Sequence, residues 1–226
     1  MTSSVIIIPA RIDSSRFPEK PLCDLGGKTM IRRVYERCIE SGFDTYVATD
    51  SRRVAHEIPY EHVIYDNADY DCGTSRVSGA VKLKNLKYDR IINVQGDMPD
   101  VTVEMIKTVD RILSMNYTLA TLFTRMDENL QNNPNSVKLV TDNSGKALWF
   151  GRGLTGYGEH HLGLYGYQRE VLEQYPHLDK HIEEDVENLE QLRWLKNGLH
   201  MQCGMVKFDG IEINTPEDME KWNESR

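Results

Sequence analysis

The sequence predicts an α/β protein with a doubly wound, mostly parallel sheet and an antiparallel extension in its second half. Over residues 1–117, short apolar runs alternate with segments of helical periodicity, as in chains that wind helices onto both faces of a parallel sheet. After about residue 117, strand-like segments follow one another with polar turns between them. Such a succession favours antiparallel pairing.

The first part of the chain predicts five strands and four helices. The strands are Val5–Ile8, Thr45–Ala48, His62–Ile64, Arg90–Val94 and Thr118–Thr124. The helices are Met30–Ser41, Arg52–Glu57, Arg76–Leu83 and Val103–Met115. The first of these helices has a clear 3.6-residue period, because Ile31, Val34 and Cys38 fall on one face.

The second part predicts strands, then a long helix, then a closing segment. The strands are Val137–Val140, Ala147–Phe150, Leu162–Tyr167 and a stretch near Gln202–Phe208. An amphipathic helix is expected from about Ile182 to Asn197, ending at Gly198. A last helix begins at Pro216, with Thr215 as its N-cap and Asp218 supplying early negative charge.

Composition narrows the class of protein. The chain has 226 residues, 39% of them hydrophobic, which suffices for a full core. Its 27 basic and 35 acidic residues give a formal net charge of −8, which argues against nucleic-acid or anionic-membrane partners. No signal peptide or bilayer-spanning run is expected, and the four scattered cysteines indicate neither a zinc site nor disulfides. These features predict a cytoplasmic protein.

Three cations follow the first predicted strand. Arg11, Arg16 and Lys20 lie in a loop that Pro18 and Pro21 stiffen. A buried strand that leads into a cationic loop presents positive charge to a phosphate-bearing ligand at the carboxyl edge of the sheet. An ordinary solvated turn is the alternative interpretation.

A carboxylate ends the strand at Arg90–Val94. If that strand neighbours the first, Asp97 lies beside the cationic loop and suits Mg²⁺, which favours one or two protein carboxylates plus phosphate oxygens. A turn aspartate before Met98-Pro99 is the alternative.

Three further segments could bind a polar ligand. The run from Cys72 to Arg76 could cap a helix or contact a ligand, and the run from His161 to Tyr167 places a polar-aromatic face on one side of a strand. The alternative for the latter is a solvated strand face. Most of the acidic run Glu183–Glu190 is expected to be solvated, with Glu190-Gln191 in a more apolar context.

No G-x-G-x-x-G follows the first strand, and neither G-x-x-x-x-G-K-[ST] nor G-x-S-x-G occurs, which disfavours dehydrogenases, P-loop NTPases and α/β-hydrolases.

Together these stretches resemble the sugar cytidylyltransferases, and most of all the 3-deoxy-D-manno-octulosonate (KDO) cytidylyltransferase, or CMP-KDO synthetase, family. The family opening I-I-P-A-R-x-x-S-[ST]-R-x-P-x-K-P-L is matched at Ile7–Leu22. The other matches are V-A-T-D at Val47–Asp50, S-G-T-E-R loosely at Cys72–Arg76, N-V-Q-G-D-x-P at Asn93–Pro99, N-P-N-x-V-K at Asn133–Lys138, H-L-G-[IL]-Y-G-Y at His161–Tyr167, L-E-Q-L-R at Leu189–Arg193 and T-P-E-D at Thr215–Asp218. The resemblance runs the whole chain.

The resemblance implies a Rossmann-like nucleotidyltransferase that catalyses CTP + KDO → CMP-KDO + pyrophosphate, with Mg²⁺ as cofactor. The anomeric hydroxyl attacks the α-phosphorus, so positioning and charge neutralisation matter most. The implied catalytic residues are Arg11, Arg16, Lys20 and Asp97. The same four residues are also expected to bind the nucleotide, together with Pro9, Ala10, Gly73, Thr74, Arg76 and Gln95. The implied sugar-binding residues are Arg152, His161, Tyr165, Glu190 and Gln191, and the implied metal ligands are Asp97 and Asn214.

The resemblance also implies an organisation and a cellular role. A single nucleotidyltransferase domain is expected, with residues 1–117 binding CTP, residues 118–200 binding the sugar and dimerising, and residues 201–226 closing the fold. The protein is expected to be a homodimer without nucleic-acid partners, and its product is expected to serve lipopolysaccharide synthesis.

The chain departs from the family pattern at several places. Asn214 stands where the family has an aspartate ligand, so weaker metal binding is expected. Met98, Glu19 and Ser75 replace a glutamate, a glycine and a glutamate. The segment 153–160 is short, which leaves open another acidic sugar, such as 8-amino-KDO or a nonulosonate. A nucleotide-binding homologue that has lost catalysis is the remaining alternative.

Overall fold

The computed structural model describes residues 3–13 and 17–226. Its strands are β1 (Ser4–Ala10), β2 (Asp44–Thr49), β3 (Val63–Tyr65), β4 (Arg90–Val94), β5 (Leu119–Thr124), β6 (Lys138–Thr141), β7 (Ala147–Gly151), β8 (Glu159–Gln168) and β9 (Met201–Met205). Its helices are α1 (Met30–Ile39), α2 (Arg52–His56), α3 (Gly73–Leu83), α4 (Val103–Ser114), α5 (Arg169–Leu172), α6 (Ile182–Glu187), α7 (Leu192–Lys196) and α8 (Pro216–Glu224).

One sheet organises these elements in the order β3-β2-β1-β4-β8-β5-β9. Strands β3, β2, β1 and β4 are parallel, whereas β8 runs antiparallel to both β4 and β5. The β6–β7 hairpin extends from the start of β8, where Lys138 pairs with His160. The mixed α/β fold with its antiparallel extension is therefore confirmed, and β8 is inserted into the main sheet.

The helices cover both faces of the sheet because the central strands are apolar on both sides. Val5 and Ile7 of β1 pack into a core that includes α3, α5 and α7. Ile6 and Ile8 pack into the opposite core, formed with α1 and α4. Because successive side chains of β1 are buried on opposite faces of the sheet, every residue of the first predicted strand is apolar. In the described part of the chain, no helix is long and apolar enough to cross a bilayer.

The predicted helix from Ile182 to Asn197 is wrong as a single element. The chain forms α6 and α7 instead, and the break lies at Asn188, which adopts the left-handed conformation at φ 54°. The N–H of Leu189 bonds back to the carbonyl of Glu184 at 3.1 Å, which closes α6 in the manner of a helix C-terminus. The predicted stop at Gly198 is confirmed by its φ of 78°.

The observed start of α3 differs from the predicted start, whereas the observed start of α8 agrees with it. Helix α3 begins at Gly73 rather than at Arg76, and the Cys72 side chain caps it by accepting from the Ser75 N–H. Thr74 and Ser75 are therefore helical residues and not caps. The start of α8 agrees with the prediction, because Thr215 and Asp218 form a reciprocal capping box.

Candidate active site

A cavity of about 360 Å³ opens at the carboxyl edge of β1 and β4. The two strands are parallel neighbours, with Ile7 opposite Asn93, so the segments that follow them meet at the same edge. In doubly wound sheets this edge is where ligands bind. The cavity therefore lies where the sheet topology predicts a site.

Most residues predicted to bind the nucleotide line this cavity. They are Pro9, Ala10, Arg11, Lys20, Gly73, Arg76, Gln95 and Asp97. Thr74 is buried behind the cavity wall, where its hydroxyl lies 3.1 Å from the Tyr167 hydroxyl. Arg16 lies outside the described residues, so its predicted role is neither supported nor opposed.

Lys20 and Asp97 form the charged centre of this edge. Lys20 Nζ donates to Asp97 Oδ2 at 2.7 Å and to the Ile213 carbonyl at 3.2 Å. The Ile213 N–H in turn donates to the Asp97 carbonyl at 3.0 Å, which brings Asn214 to the same place. The predicted loop, strand end and C-terminal segment thus meet, although they are far apart in sequence.

The backbone conformation before Lys20 explains why the family pattern has a glycine where this chain has Glu19. Glu19 has φ 54°, a left-handed conformation that glycine adopts without steric cost. Its carboxylate pairs with Arg53 on α2, which helps to hold this segment. Glutamate can therefore occupy the position, at a conformational cost of about 1 kcal/mol.

Arg76 has an unsatisfied donor in the cavity wall. Its Nη2 pairs with Asp50 at 2.7 Å, and its guanidinium lies over the Tyr70 ring. Its Nη1 is buried and lacks a hydrogen-bond partner among the described residues. Because buried donors are rarely left unpaired, Arg76 Nη1 is a candidate contact for a ligand.

The residues predicted to bind the sugar line the same cavity. They are Arg152, His161, Tyr165, Glu190 and Gln191. His161 and Tyr165 project from one side of β8 and are 4% and 5% exposed, so the solvated-face interpretation of that strand is wrong. Glu190 and Gln191 lie in the short link between α6 and α7. The helix break therefore brings these two residues to the cavity.

Glu190 contacts both sets of residues that line the cavity, those predicted to bind the sugar and those predicted to bind the nucleotide. Its Oε2 accepts from the Thr74 N–H at 2.9 Å, and its Oε1 accepts from the Gln95 amide at 3.3 Å. Burial raises the pKa of Glu190, and the hydrogen bond from Thr74 opposes this shift. A residue predicted to bind the sugar thus contacts two residues predicted to bind the nucleotide.

An ion-pair network around the buried Arg193, beside this link, was not predicted from the sequence. Arg193 pairs with Asp71 and with Glu184, each at 2.6 Å, and its guanidinium lies over the Tyr175 ring. Glu184 is 5% exposed, so the expectation of a solvated acidic face is wrong for this residue. The basic residue nine positions after Glu184 was a possible sequence signal, but Asp71, which lies 122 positions before Arg193, could not be identified as a partner from spacing.

Glu212 is a second residue that was missed. It lines the cavity, and its Oε1 accepts from the Gly163 N–H at 3.2 Å. Its other oxygen lies 3.4 Å from His160 Nε2. No local pattern marks Glu212, because its contacts join the C-terminal segment to β8.

His161 carries a neutral imidazole among the residues predicted to bind the sugar. The Thr121 hydroxyl donates to the Leu164 carbonyl at 2.8 Å, so it accepts from His161 Nε2–H at 2.9 Å. Nδ1 is then the acceptor nitrogen of the ring. Burial lowers the pKa of His161 to about 3, and the charges of His160 and Arg152 act in the same direction.

His161 should make the protein acid-sensitive. Between its ordinary pKa of 6.5 and its folded pKa of about 3, the unfolded chain binds a proton that the folded chain does not. Stability is therefore full above pH 6.5 and falls toward pH 3, by up to about 1.4 kcal/mol per pH unit. We expect His161→Gln to reduce this slope in urea unfolding measured from neutral to acid pH. His200→Gln, which changes an exposed histidine, is the control and should leave the slope unchanged.

The cavity offers few metal ligands from the protein itself. Within residues 3–13 and 17–226, no group of three or more His, Cys, Asp or Glu side chains could hold a metal ion. Asp97 and Asn214 nevertheless supply hard oxygen atoms to the same cavity. This pair fits Mg²⁺ if phosphate oxygens and water complete the coordination, since Mg²⁺ rarely uses an all-protein cage.

The chain is similar to known proteins both in sequence and in fold. The sequence profile of a family described as cytidylyltransferase matches residues 5–202. A 3-deoxy-manno-octulosonate cytidylyltransferase of Parabacteroides distasonis is 37% identical, over 98% of this chain and 97% of that protein. An 8-amino-3,8-dideoxy-manno-octulosonate cytidylyltransferase of Shewanella halifaxensis is also 37% identical, over 95% of this chain and 94% of that protein. A solved CMP:2-keto-3-deoxy-manno-octonic acid synthetase in complex with CTP superposes with a TM-score of 0.90 at 32% identity, covering 99% of this chain and 98% of that one.

Proposed function

Because the chain belongs to the cytidylyltransferase family, we propose that it transfers CMP from CTP to the anomeric hydroxyl of KDO and releases pyrophosphate. The observation that carries this proposal is the shared cavity. Cations suited to a triphosphate and a cluster suited to a hydroxylated acid line one space. Two substrates bound there would be close enough for direct attack, which phosphoryl-type transfer needs more than covalent catalysis.

The nucleotide end is proposed to bind and neutralise the triphosphate. Arg11 and Lys20 would hold its phosphates, and Arg16 has the same role by resemblance. Lys20 would transfer its hydrogen bond from Asp97 to a phosphate oxygen and so stabilise the charge on the departing pyrophosphate. Arg76 Nη1 and Gln95 would contact the cytidine, as would the backbone of Pro9-Ala10 and of Gly73-Thr74.

The acceptor end is proposed to hold the sugar acid by charge and by hydroxyl contacts. Arg152 is suited to a carboxylate because its guanidinium binds planar anions with two donors. His161 and Tyr165 would contact hydroxyl groups, and Glu190 with Gln191 would orient the ring. The buried amide nitrogen of Gln191 has no hydrogen-bond partner in the described part of the chain, which supports a ligand contact.

Asp97 and Asn214 are proposed to hold Mg²⁺. When bound, the ion would neutralise phosphate charge and lower the pKa of a coordinated hydroxyl. Asp97 already contacts Lys20, so this carboxylate is within reach of the groups that would bind phosphate.

An amino-substituted acceptor is a second candidate. The Shewanella halifaxensis relative, whose name specifies 8-amino-3,8-dideoxy-manno-octulosonate, is as similar to this chain as the relative named for the unsubstituted acid. The two acids differ in one group, so the same phosphoryl chemistry would serve either. The segment 153–160 is short compared with the family pattern, and it follows Arg152, which lines the cavity; within it, Gly156 and Gly158 have positive φ.

The organisation of the chain is also a proposal. Residues 1–117 are proposed to bind CTP, residues 118–200 to bind the acceptor and to dimerise, and residues 201–226 to close the fold in a cytoplasmic homodimer. Exposed apolar side chains in the middle part support a dimer contact there, notably Leu148, Ile182 and Val186, which are 54%, 74% and 77% exposed.

Pyrophosphate release tests the function directly. The protein is incubated with CTP, Mg²⁺ and either KDO, 8-amino-KDO or N-acetylneuraminate. Fast release with KDO supports the first proposal, and release with 8-amino-KDO alone supports the second. No release with any acid, despite measurable CTP binding, would indicate a non-catalytic homologue. Loss of release on adding EDTA, restored by excess Mg²⁺, would support the metal assignment.

A further inference from the structure

Lys138, the last residue of the N-P-N-x-V-K match, has a fully buried charge. It begins β6 and is 1% exposed. Its ammonium donates to the carbonyl oxygens of Asn133, Arg152 and Ser136 at 2.7, 2.9 and 3.1 Å. Three carbonyls match the three donors of a lysine, so its hydrogen bonding is saturated.

Burying this cation is costly, which suggests a function beyond filling space. In the described part of the chain, no carboxylate lies within ion-pair distance of Lys138. Its hydrogen-bonding partners are backbone carbonyls, and Glu187 favours the charged form electrostatically without contacting it. Burial lowers the pKa of Lys138, and the nearby Arg152 charge lowers it further. An apolar side chain in a β-strand would avoid this penalty.

The three carbonyls belong to two segments that border the acceptor end of the cavity. Asn133 and Ser136 belong to the turn before β6, and Arg152 follows β7. Asn135 and Arg152 line the cavity, whereas Lys138 does not. Lys138 therefore lies behind the wall and cannot contact a bound ligand directly.

Arg152 links the same two segments from the cavity side. Its Nη1 donates to the Asn135 carbonyl at 2.6 Å, and its Nε donates to the Glu187 carbonyl at 3.2 Å. Lys138 holds the Arg152 backbone while Arg152 holds the turn. Two neighbouring cations, one buried and one lining the cavity, thus share one backbone framework.

We propose that Lys138 is a positioning residue for the acceptor: it holds Arg152 against the 133–136 turn and adds buried positive charge behind the guanidinium, so that this end of the cavity binds a carboxylate. The inference rests on the proposed function, because it assumes an acidic acceptor. Charge in a desolvated wall acts on a bound anion more strongly than charge in water. A placement error of even 1 Å at such a contact can cost about 100-fold in rate.

The test compares Lys138→Met with the wild-type protein in the pyrophosphate assay. Methionine keeps much of the length but removes the charge and the three donors. We expect the KM for the sugar acid to rise about tenfold or more, with the KM for CTP nearly unchanged. Lys207→Met, at an 86% exposed side chain, is the matched control and should leave both KM values unaltered.

A second variant keeps the proposal falsifiable if Lys138→Met folds poorly. Lys138→Ala leaves a cavity, so added propylammonium should lower the acceptor KM of this variant, whereas neutral propanol should not. A purely structural role would lower the thermal midpoint without separating the two KM values and without selective rescue by the cation.

The outcomes distinguish this inference from the proposed function. If the wild-type protein releases no pyrophosphate with any acid, the proposed function fails before any variant is needed. If the wild-type protein is active and folded Lys138→Met has wild-type KM values, only the role of Lys138 is overturned. Failure of propylammonium to rescue Lys138→Ala, where Lys138→Met cannot be purified folded, overturns it equally.

Discussion

Replacing Asp97 with Asn should lower kcat for pyrophosphate release by about 10²–10³-fold, the loss typical of removing one group that stabilises transition-state charge. The substitution keeps the shape of the side chain but removes the carboxylate that contacts Lys20 at 2.7 Å. With Asn214 already uncharged, the proposed metal site would retain no protein carboxylate from this pair. Steady-state kinetics over a range of Mg²⁺ concentrations should show a higher half-saturating concentration.

Two further variants control this prediction. Asp209→Asn changes an exposed carboxylate, 74% accessible, and should behave as wild type. Asn214→Asp adds charge next to Asp97 and should lower the half-saturating Mg²⁺ concentration. An Asp97→Asn protein with unchanged kcat and unchanged metal dependence would remove Asp97 from both proposed roles.

Replacing Arg193 with Met should destabilise the protein by about 3–5 kcal/mol, because breaking a buried ion pair leaves an uncompensated charge. Arg193 is 4% exposed and bonds Glu184 through both Nε and Nη2, at 2.9 and 2.6 Å. The substitution also removes the contact with Asp71 and the stacking on Tyr175. Urea unfolding at neutral pH measures the change in free energy.

The same substitution has a matched control and a pH signature. Arg53→Met breaks an exposed pair with Glu19 and should leave the free energy of unfolding close to that of the wild type, because water screens exposed ion pairs. Although burial alone would raise it, hydrogen bonds from Ser75 and Arg193 hold the pKa of Asp71 at about 2. The stability that Asp71 contributes is thus present above its ordinary pKa of 3.8 and lost as pH falls toward 2. Arg193→Met should weaken this acid dependence, and a loss below 1 kcal/mol would contradict the buried-network account.

Local sequence signals were sufficient to predict the strands, most helices and several residues that line the cavity at the carboxyl edge of β1 and β4. Arg11, Lys20 and Asp97 were recognisable because each follows a continuous apolar run that is buried on both faces. The sequence left open whether the strands before Arg11 and Asp97 are neighbours. The structure shows that β1 and β4 are parallel neighbours, which brings the segments after them to one edge of the sheet. The roles of these residues remain predictions for the assays above.

The helix break at Asn188 shows where local signals fail. Residues 182–197 carry a helical apolar period, and asparagine in a helix interior costs only a few tenths of a kcal/mol. The contacts that favour the break are distant. The carbonyl of Glu190 accepts from the Tyr175 hydroxyl, and its carboxylate accepts from the Thr74 N–H across 116 residues of sequence.

The sequence by itself determined the α/β class, the order of most elements, the cationic loop and the strand-end aspartate. Each of these depends on periodicity or on a residue's position relative to its own strand. Only the tertiary structure decided the insertion of β8 between β4 and β5, the burial of Arg193 with Glu184, the approach of Glu212 to Gly163, and the three carbonyls around Lys138. A buried polar group is stable only where distant segments supply its partners, so chain packing, which local patterns do not encode, determines where it lies.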